Sequence, residues 1–222
     1  MIVTIDGPSG TGKSTVARLL AQKLGFSFFD TGAMYRAFSW WIHREKIDLK
    51  NKADLQSRLS EFHFFIKEEL GEKHYLVNGI DVTLEIRKKE INEAVSSIAS
   101  IREVREFFLP IQREYARSHD SVFEGRDLGT VVFPEAEVKF FLTASPEIRG
   151  KRRYLEMISK NPQDSVSLEE IVESLKGRDK QDSTRKVAPL TCPLDAWVLD
   201  TSAYSIDQVV EILFTYTLTK KK

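Results

Sequence analysis

The chain has 222 residues, 41% hydrophobic and 30% charged, and its 33 basic and 33 acidic side chains leave a formal net charge of zero. That balance excludes bulk electrostatic attraction to nucleic acid or to an anionic membrane, and no apolar run approaches the roughly 18 residues needed to cross a bilayer. The single cysteine, Cys192, excludes an internal disulfide and fits a reducing, cytoplasmic setting.

The chain opens on Ile2-Val3-Thr4-Ile5, a β-branched run that predicts a buried strand, with no basic leader before it. Gly7-Pro8-Ser9-Gly10-Thr11-Gly12-Lys13-Ser14 follows and matches a phosphate-binding loop: Gly, four residues, then Gly-Lys-Ser. Glycines at these offsets let successive backbone N–H groups turn inward as an anion nest. Lys13 supplies a cation for the β and γ phosphates, and Ser14 a hydroxyl for the accompanying Mg²⁺. Val16, Leu19, Leu20 and Leu24 then recur at helical spacing, with Gly25 as the stop. Strand, loop and helix stand in the order a nucleoside-triphosphate site requires.

Phe26–Asp30 predicts a second strand, leading through Thr31, a good helix cap, into a helix whose Met34, Ala37, Phe38, Trp41 and Ile42 face a core. Arg36 is a lone cation one turn into that helix, next to a strand end. Residues 47–90 change texture. Phe62, Phe64 and Ile66 alternate, as do Tyr75 and Val77, with Gly71 and Asn78-Gly79 as punctuation. This predicts a small antiparallel sheet, with Lys67-Glu68-Glu69 on its solvated face. Helical spacing returns from Ile86. Ser100-Ile101-Arg102-Glu103 reads as a capping box, placing a break between two helices at about Ser100. Arg102 and Arg105 share a face of the second helix.

Ser121-Val122-Phe123 predicts a strand ending in Glu124-Gly125-Arg126-Asp127, where Glu124 either orients a water on the metal or pairs with an arginine. Val138–Leu142 predicts another strand, Pro146 opens a charged helical stretch to 186, and Ser167 with Glu170 forms a second capping box. In that stretch Arg178, Asp182 and Arg185 fall at i, i+4 and i+7, and Arg149, Arg152 and Arg153 on another face. Arg178 with Asp182 reads either as part of a site or as a surface pair. Ala196–Leu199 is the last strand, a helix from about Ser205 the last helix, and Lys220–Lys222 a solvated tail. Five strands alternating with helices predict an α/β fold with a parallel sheet covered on both faces. Ligands in such folds sit at the carboxyl ends of strands, so the phosphate loop, Asp30-Thr31 and Arg126-Asp127 should meet on one rim.

Gly-Pro-Ser-Gly-Thr-Gly-Lys-Ser-Thr, Asp-Thr-Gly-Ala-Met-Tyr-Arg, Glu-Gly-Arg-Asp-Leu-Gly-Thr-Val-Val-Phe-Pro and Arg-Lys-Val-Ala-Pro-Leu, in that order, resemble the bacterial cytidylate kinases end to end. The resemblance implies a P-loop kinase fold in a single domain over 1–222. Its parts would be a core (1–46, 86–148, 187–222), a β insert (47–85) and a helical lid (149–186). It implies γ-phosphoryl transfer from ATP to CMP or dCMP with Mg²⁺. Gly7 to Thr15 would bind ATP, and Lys13, Arg126, Arg178 and Arg185 would serve transfer. Thr31 would belong to the monophosphate site. Arg36, Arg126 and Arg185 would hold the acceptor phosphate, Arg178 and Asp182 the ribose, and Ser96, Arg105 and Asp127 the cytosine edge. Ser14 departs from family members that carry glycine there, and Glu124 from those that carry aspartate. A kinase for another small acceptor, shikimate or another nucleotide, and a nucleotide-gated binding module are the alternatives. Nothing in the sequence demands more than a monomer.

Overall fold

The computed structural model describes residues 1–69, 72–160 and 166–221. Gly71, Lys222 and residues 161–165 of the 149–186 segment lie outside the described residues. The chain divides into two compact units, Met1–Asp30 with Arg113–Lys222, and Thr31–Gln112.

The first unit holds β1 (Ile2–Asp6), α1 (Lys13–Leu24) and β2 (Ser27–Asp30). The second begins with α2 (Thr31–Glu45) and α3 (Lys52–Leu59), then β3 (Phe64–Glu69), β4 (Glu72–Val77) and β5 (Ile80–Asp81). It continues through α4 (Lys89–Ile98) into α5 (Arg102–Arg117), whose last residues belong to the first unit. The first unit resumes with β6 (Ser121–Glu124), β7 (Val138–Thr143), α6 (Pro146–Lys160), α7 (Leu168–Thr184), β8 (Trp197–Asp200) and α8 (Ile206–Lys220).

The five strands of the first unit form one parallel sheet in the order β2-β6-β1-β7-β8. The chain winds to one side of β1 through β2 and β6 and to the other through β7 and β8, so the crevice outside the carboxyl end of β1 lies at the reversal. The register pairs Ile5 with Glu124 and Asp30 with Glu124, which lines three strand ends up on one rim. Val3 and Ile5 point to one face and meet Val16, Leu20 and Ala17 of α1 and Val209 and Leu213 of α8 in a fully buried cluster. On the other face Phe123 packs on Phe29, Tyr115 and Phe133. The strands are apolar on both sides because both faces are covered.

In the second unit β3-β4-β5 form the antiparallel sheet, with Lys67, Glu68 and Glu69 exposed as expected. Asn78 and Gly79 both take positive φ, 49° and 82°, the two-residue turn that matches the strands' twist. Phe62 precedes β3 and is buried against Phe38, Trp41 and Phe108.

Three local expectations are corrected. The break between α4 and α5 falls where expected, but Ser100 is no cap: its hydroxyl donates back to the carbonyl of Ser97 at 2.6 Å, and Arg105 N–H bonds to Ile101. Arg185 lies one residue past α7, in extended backbone, so it leaves the helical face of Arg178 and Asp182. Arg153 pairs with Glu156 on the surface, away from the buried Arg149. The capping box at Ser167 and Glu170 forms as read. Among the described residues no helix is long and apolar enough to cross a membrane.

Helices α6 and α7 touch closely at Gly150, where an added Cβ would lie 2.3 Å from Cγ2 of Val172. Gly→Ala inside a helix normally stabilises, but here the overlap with a stiff β-branched side chain dominates. Gly150→Ala should lose about 1–3 kcal/mol in urea denaturation, and Val172→Ala in the same chain should recover part of it.

Candidate active site

The loop from β1 to α1 crosses the end of β7 so closely that only glycine fits at its start: a Cβ on Gly7 would sit 2.1 Å from the carbonyl oxygen of Leu142. Gly12 ends the loop in left-handed backbone and begins α1, which aims the helix N-terminus at the loop. Lys13 is 4% exposed and folds back over its own loop, its Nζ donating to the carbonyl of Pro8 at 2.7 Å. The hydroxyl of Thr11 donates to the same carbonyl at 3.2 Å.

Charges of both signs converge on this point. Ser14 donates its hydroxyl to Oε1 of Glu124 at 2.8 Å, and Glu124 stands in register beside Asp30. Burial, and then the neighbouring Asp30, push the Glu124 carboxyl up to about 7. Burial and the nearby Arg126 bring the Lys13 ammonium down to about 7, with Arg178 acting in the same direction. Of the two roles left open for Glu124, neither excludes the other: it accepts from Ser14 and lies in the field of Lys13 and Arg126.

Beyond β6, Arg126 donates from Nε to Oδ2 of Asp182 at 3.0 Å and from Nη1 to the carbonyl of Gly125. Arg185 donates from Nη2 to Oδ1 of Asp127 at 3.1 Å and from Nε to the carbonyl of Ala188, with Nη1 3.9 Å from Asp182. The four side chains form a charge-balanced network in which Asp127, Asp182 and Arg185 are buried and Arg126 is half-buried. Asp182 is only 3% exposed, so the surface-pair reading of Arg178 with Asp182 does not hold. Of the remaining residues singled out from the sequence, Thr31, Arg36, Ser96 and Arg105 belong to the second unit. Thr31 and Ser96 are buried there, and Arg36 is half-buried. Arg105 is buried with Nη1 on the carbonyl of Ala99 at 3.0 Å and its guanidinium over the ring of Tyr35.

Sequence reasoning missed Asp6. Its two carboxylate oxygens accept from the N–H groups of Leu128 and Gly129 at 3.0 and 2.8 Å, tying the strand before the phosphate loop to the turn after Arg126-Asp127. Burial pushes Asp6 up to about 6, more than the two amides pull it down. It also gave no role to Asp179, which meets the loop at Ser9. An acidic residue directly before the glycine-rich loop was the available signal for Asp6. Nothing local marks Asp179.

Comparison with known proteins follows the same lines. The family model described as Cytidylate kinase matches residues 3–219. A cytidylate kinase of Protochlamydia amoebophila is 49% identical over 100% of this chain and 98% of its own length. One from Shouchella clausii is 46% identical over 95% of this chain and 93% of its own. A bifunctional pantoate ligase/cytidylate kinase of Prochlorococcus marinus is 47% identical over 95% of this chain, which spans 41% of that protein.

The raised Asp6 carboxyl has a signed consequence. The folded state holds that proton more tightly than the unfolded chain, so stability is fully present below the unfolded value of 3.8 and is lost as pH rises to about 6. Relative to Asp6→Asn, which cannot titrate, the wild-type chain should lose on the order of 2–3 kcal/mol across that window and nothing further above it. Urea denaturation of both proteins from pH 4 to 8 measures the difference.

Proposed function

We infer the roles below from one premise: the chain belongs to the cytidylate kinase family. It transfers the γ-phosphoryl group of ATP to CMP or dCMP, giving ADP and CDP or dCDP. The observation that carries this reading to particular atoms is that the buried ammonium of Lys13, beside a glycine-rich loop, lies in the field of the half-buried Arg126 and Arg178. Cations gathered around a buried ammonium are unfavourable unless an anion joins them, and a polyphosphate is the anion whose charge and length suit a loop of converging amides. The family match over almost the whole chain disfavours both another acceptor and a non-catalytic nucleotide switch.

In this reading the loop from Gly7 to Thr15 holds the phosphates of ATP through the ammonium of Lys13 and its backbone N–H groups, other than Pro8, which has none, and Ser9, whose N–H is bonded to Asp179. A polyphosphate beside Lys13 favours its charged form, which burial of the ammonium opposes. Ser14 with Glu124 and Asp30 would hold Mg²⁺. The donor set fits a hard divalent cation: a hydroxyl bonded to a carboxylate, and a second carboxylate in register whose repulsion raises the first. When bound, the ion neutralises charge on the β and γ oxygens.

Arg126 and Arg185 hold the acceptor phosphate, and Arg178 with Asp182 reaches the ribose. Asp182 also fixes the plane of the Arg126 guanidinium through its bond to Nε, so one carboxylate orients the cation that meets the transferring group. The transition state spreads negative charge over the equatorial oxygens, and arginines already oriented stabilise it without reorganising. No general base is needed, because the acceptor is already a phosphate anion. Asp127 reads the base. A carboxylate accepts from the 4-amino group of cytosine and repels the 4-oxo group of uracil, so discrimination costs a mismatched acceptor directly. The helices α6 and α7 act as the lid that keeps water from competing as acceptor. The enzyme acts on small molecules in the cytoplasm, as a monomer, where Cys192 stays reduced.

A coupled assay of ADP release with ATP and each nucleoside monophosphate in turn tests the reading. CMP and dCMP should be the preferred acceptors, and equal turnover with AMP or GMP would contradict it. Arg126→Ala should lose about a hundredfold in kcat, with KM for ATP little changed; collapse of ATP affinity with intact turnover would remove it from the transfer step. Asp127→Ala should erode selectivity for CMP over UMP. A variant as selective as wild type would exclude that role.

A further inference from the structure

Ser9 stands within the phosphate loop, and both polar groups of its backbone are engaged by a single ion pair from outside the loop. Its N–H donates to Oδ1 of Asp179 at 3.2 Å, and its carbonyl accepts from Nη1 of Arg149 at 2.8 Å. The same Nη1 lies 2.6 Å from Oδ2 of Asp179. Arg149 comes from the first turn of α6 and Asp179 from the second half of α7. The Nε of Arg149 is held by the carbonyl of Ala144, just past β7, so its guanidinium is fixed on the sheet as well as on the loop. The fit is close: a Cβ on Gly10 would lie 3.2 Å from Cβ of Arg149. One turn further along α6, Arg152 donates to the carbonyl and hydroxyl oxygens of Thr201, and that hydroxyl reaches the carbonyl of Thr11 at 3.4 Å.

An exposed ion pair in this arrangement would contribute little. Arg149 is instead 3% exposed, and its donors are spent on a strand end, a loop carbonyl and a carboxylate. The loop has no regular backbone pairing of its own to fix its peptide planes. A nest binds an anion only while successive N–H groups converge, and their like-oriented dipoles oppose that convergence. Something behind the loop must hold the planes, and the Arg149–Asp179 pair holds two consecutive ones, on either side of the Ser9 Cα.

We propose that Arg149 and Asp179 are positioning residues for the phosphoryl donor: together they fix the two peptide planes flanking Ser9 so that the loop amides after it converge on ATP. They also tie that geometry to α7, the helix that carries Arg178 and Asp182. The proposal rests on the reading that the loop holds ATP, and it assigns the pair no contact with either substrate.

The test is calorimetric titration with a non-hydrolysable ATP analogue and no acceptor present. Asp179→Ala should bind the analogue about tenfold more weakly, the worth of a charge-assisted hydrogen bond. Asp179→Asn keeps an oxygen for the Ser9 N–H and should fall between it and wild type. Because the pair acts as a unit, Arg149→Ala with Asp179→Ala should stay within about twofold of Asp179→Ala alone. CMP affinity without ATP should be unchanged in each, which a general loss of structure would not allow. Should the double variant fail to fold, the two Asp179 variants decide. A folded Asp179→Ala with wild-type analogue affinity would overturn the proposal. So would tighter binding, which would make Asp179 a competitor for the Ser9 amide. Failure of the wild-type chain to bind the analogue would overturn the reading of the loop itself, and the proposal with it.

Discussion

A lysine ammonium enclosed by protein dictates much of this molecule. Lys13 has almost no access to water and lies in the field of Arg126 and Arg178, an arrangement that folding alone would not favour. The compensation is local and incomplete. Glu124 and Asp6 draw the charge back toward the loop, but both carboxyls are themselves pushed up by burial. The result is a site in which burial opposes charge on the lysine and on both carboxyls. In the reading proposed above, such a balance is met by an anion and a divalent cation arriving together.

The rest of the first unit supports that constraint. The parallel sheet brings Asp6, Asp30 and Glu124 to one edge because strands that start in register also end in register. Asp6 then uses both carboxylate oxygens to hold the turn that carries Arg126 and Asp127, so the donor loop and the arginine turn share one anchor. Asp182 and Asp127 in turn keep Arg126 and Arg185 oriented. A guanidinium held at two or three of its donors loses less entropy when it meets a phosphate than one searching from the surface.

The sequence made the phosphate loop legible because its chemistry demands glycines and a lysine at fixed offsets, and strand ends mark the rim on which ligands bind. The five strands and the Asn78-Gly79 turn were legible for the same kind of reason: short apolar, β-branched runs and a positive-φ Asn-Gly pair leave local signatures. What escaped depends on partners far away in the chain. The role of Asp6 exists only through residues 128 and 129, and that of Asp179 only through Ser9. Ser100 shows the opposite failure. Its pattern is that of a cap, but its hydroxyl had a nearer carbonyl to serve, and local pairing won. Arg185 was placed on a helix face by counting, yet α7 ends at Thr184, and the extended backbone swings its guanidinium to Asp127.

The central claim is that a buried cation, depressed by its surroundings, waits for a polyphosphate. Calorimetric titration of the protein with metal-free ATP at about pH 8, repeated in buffers of different ionisation enthalpy, counts the protons exchanged on binding. The account predicts net uptake approaching one proton by the wild-type chain and its disappearance in Lys13→Met. Binding of ATP with no proton taken up, or with the same uptake in both proteins, would contradict it.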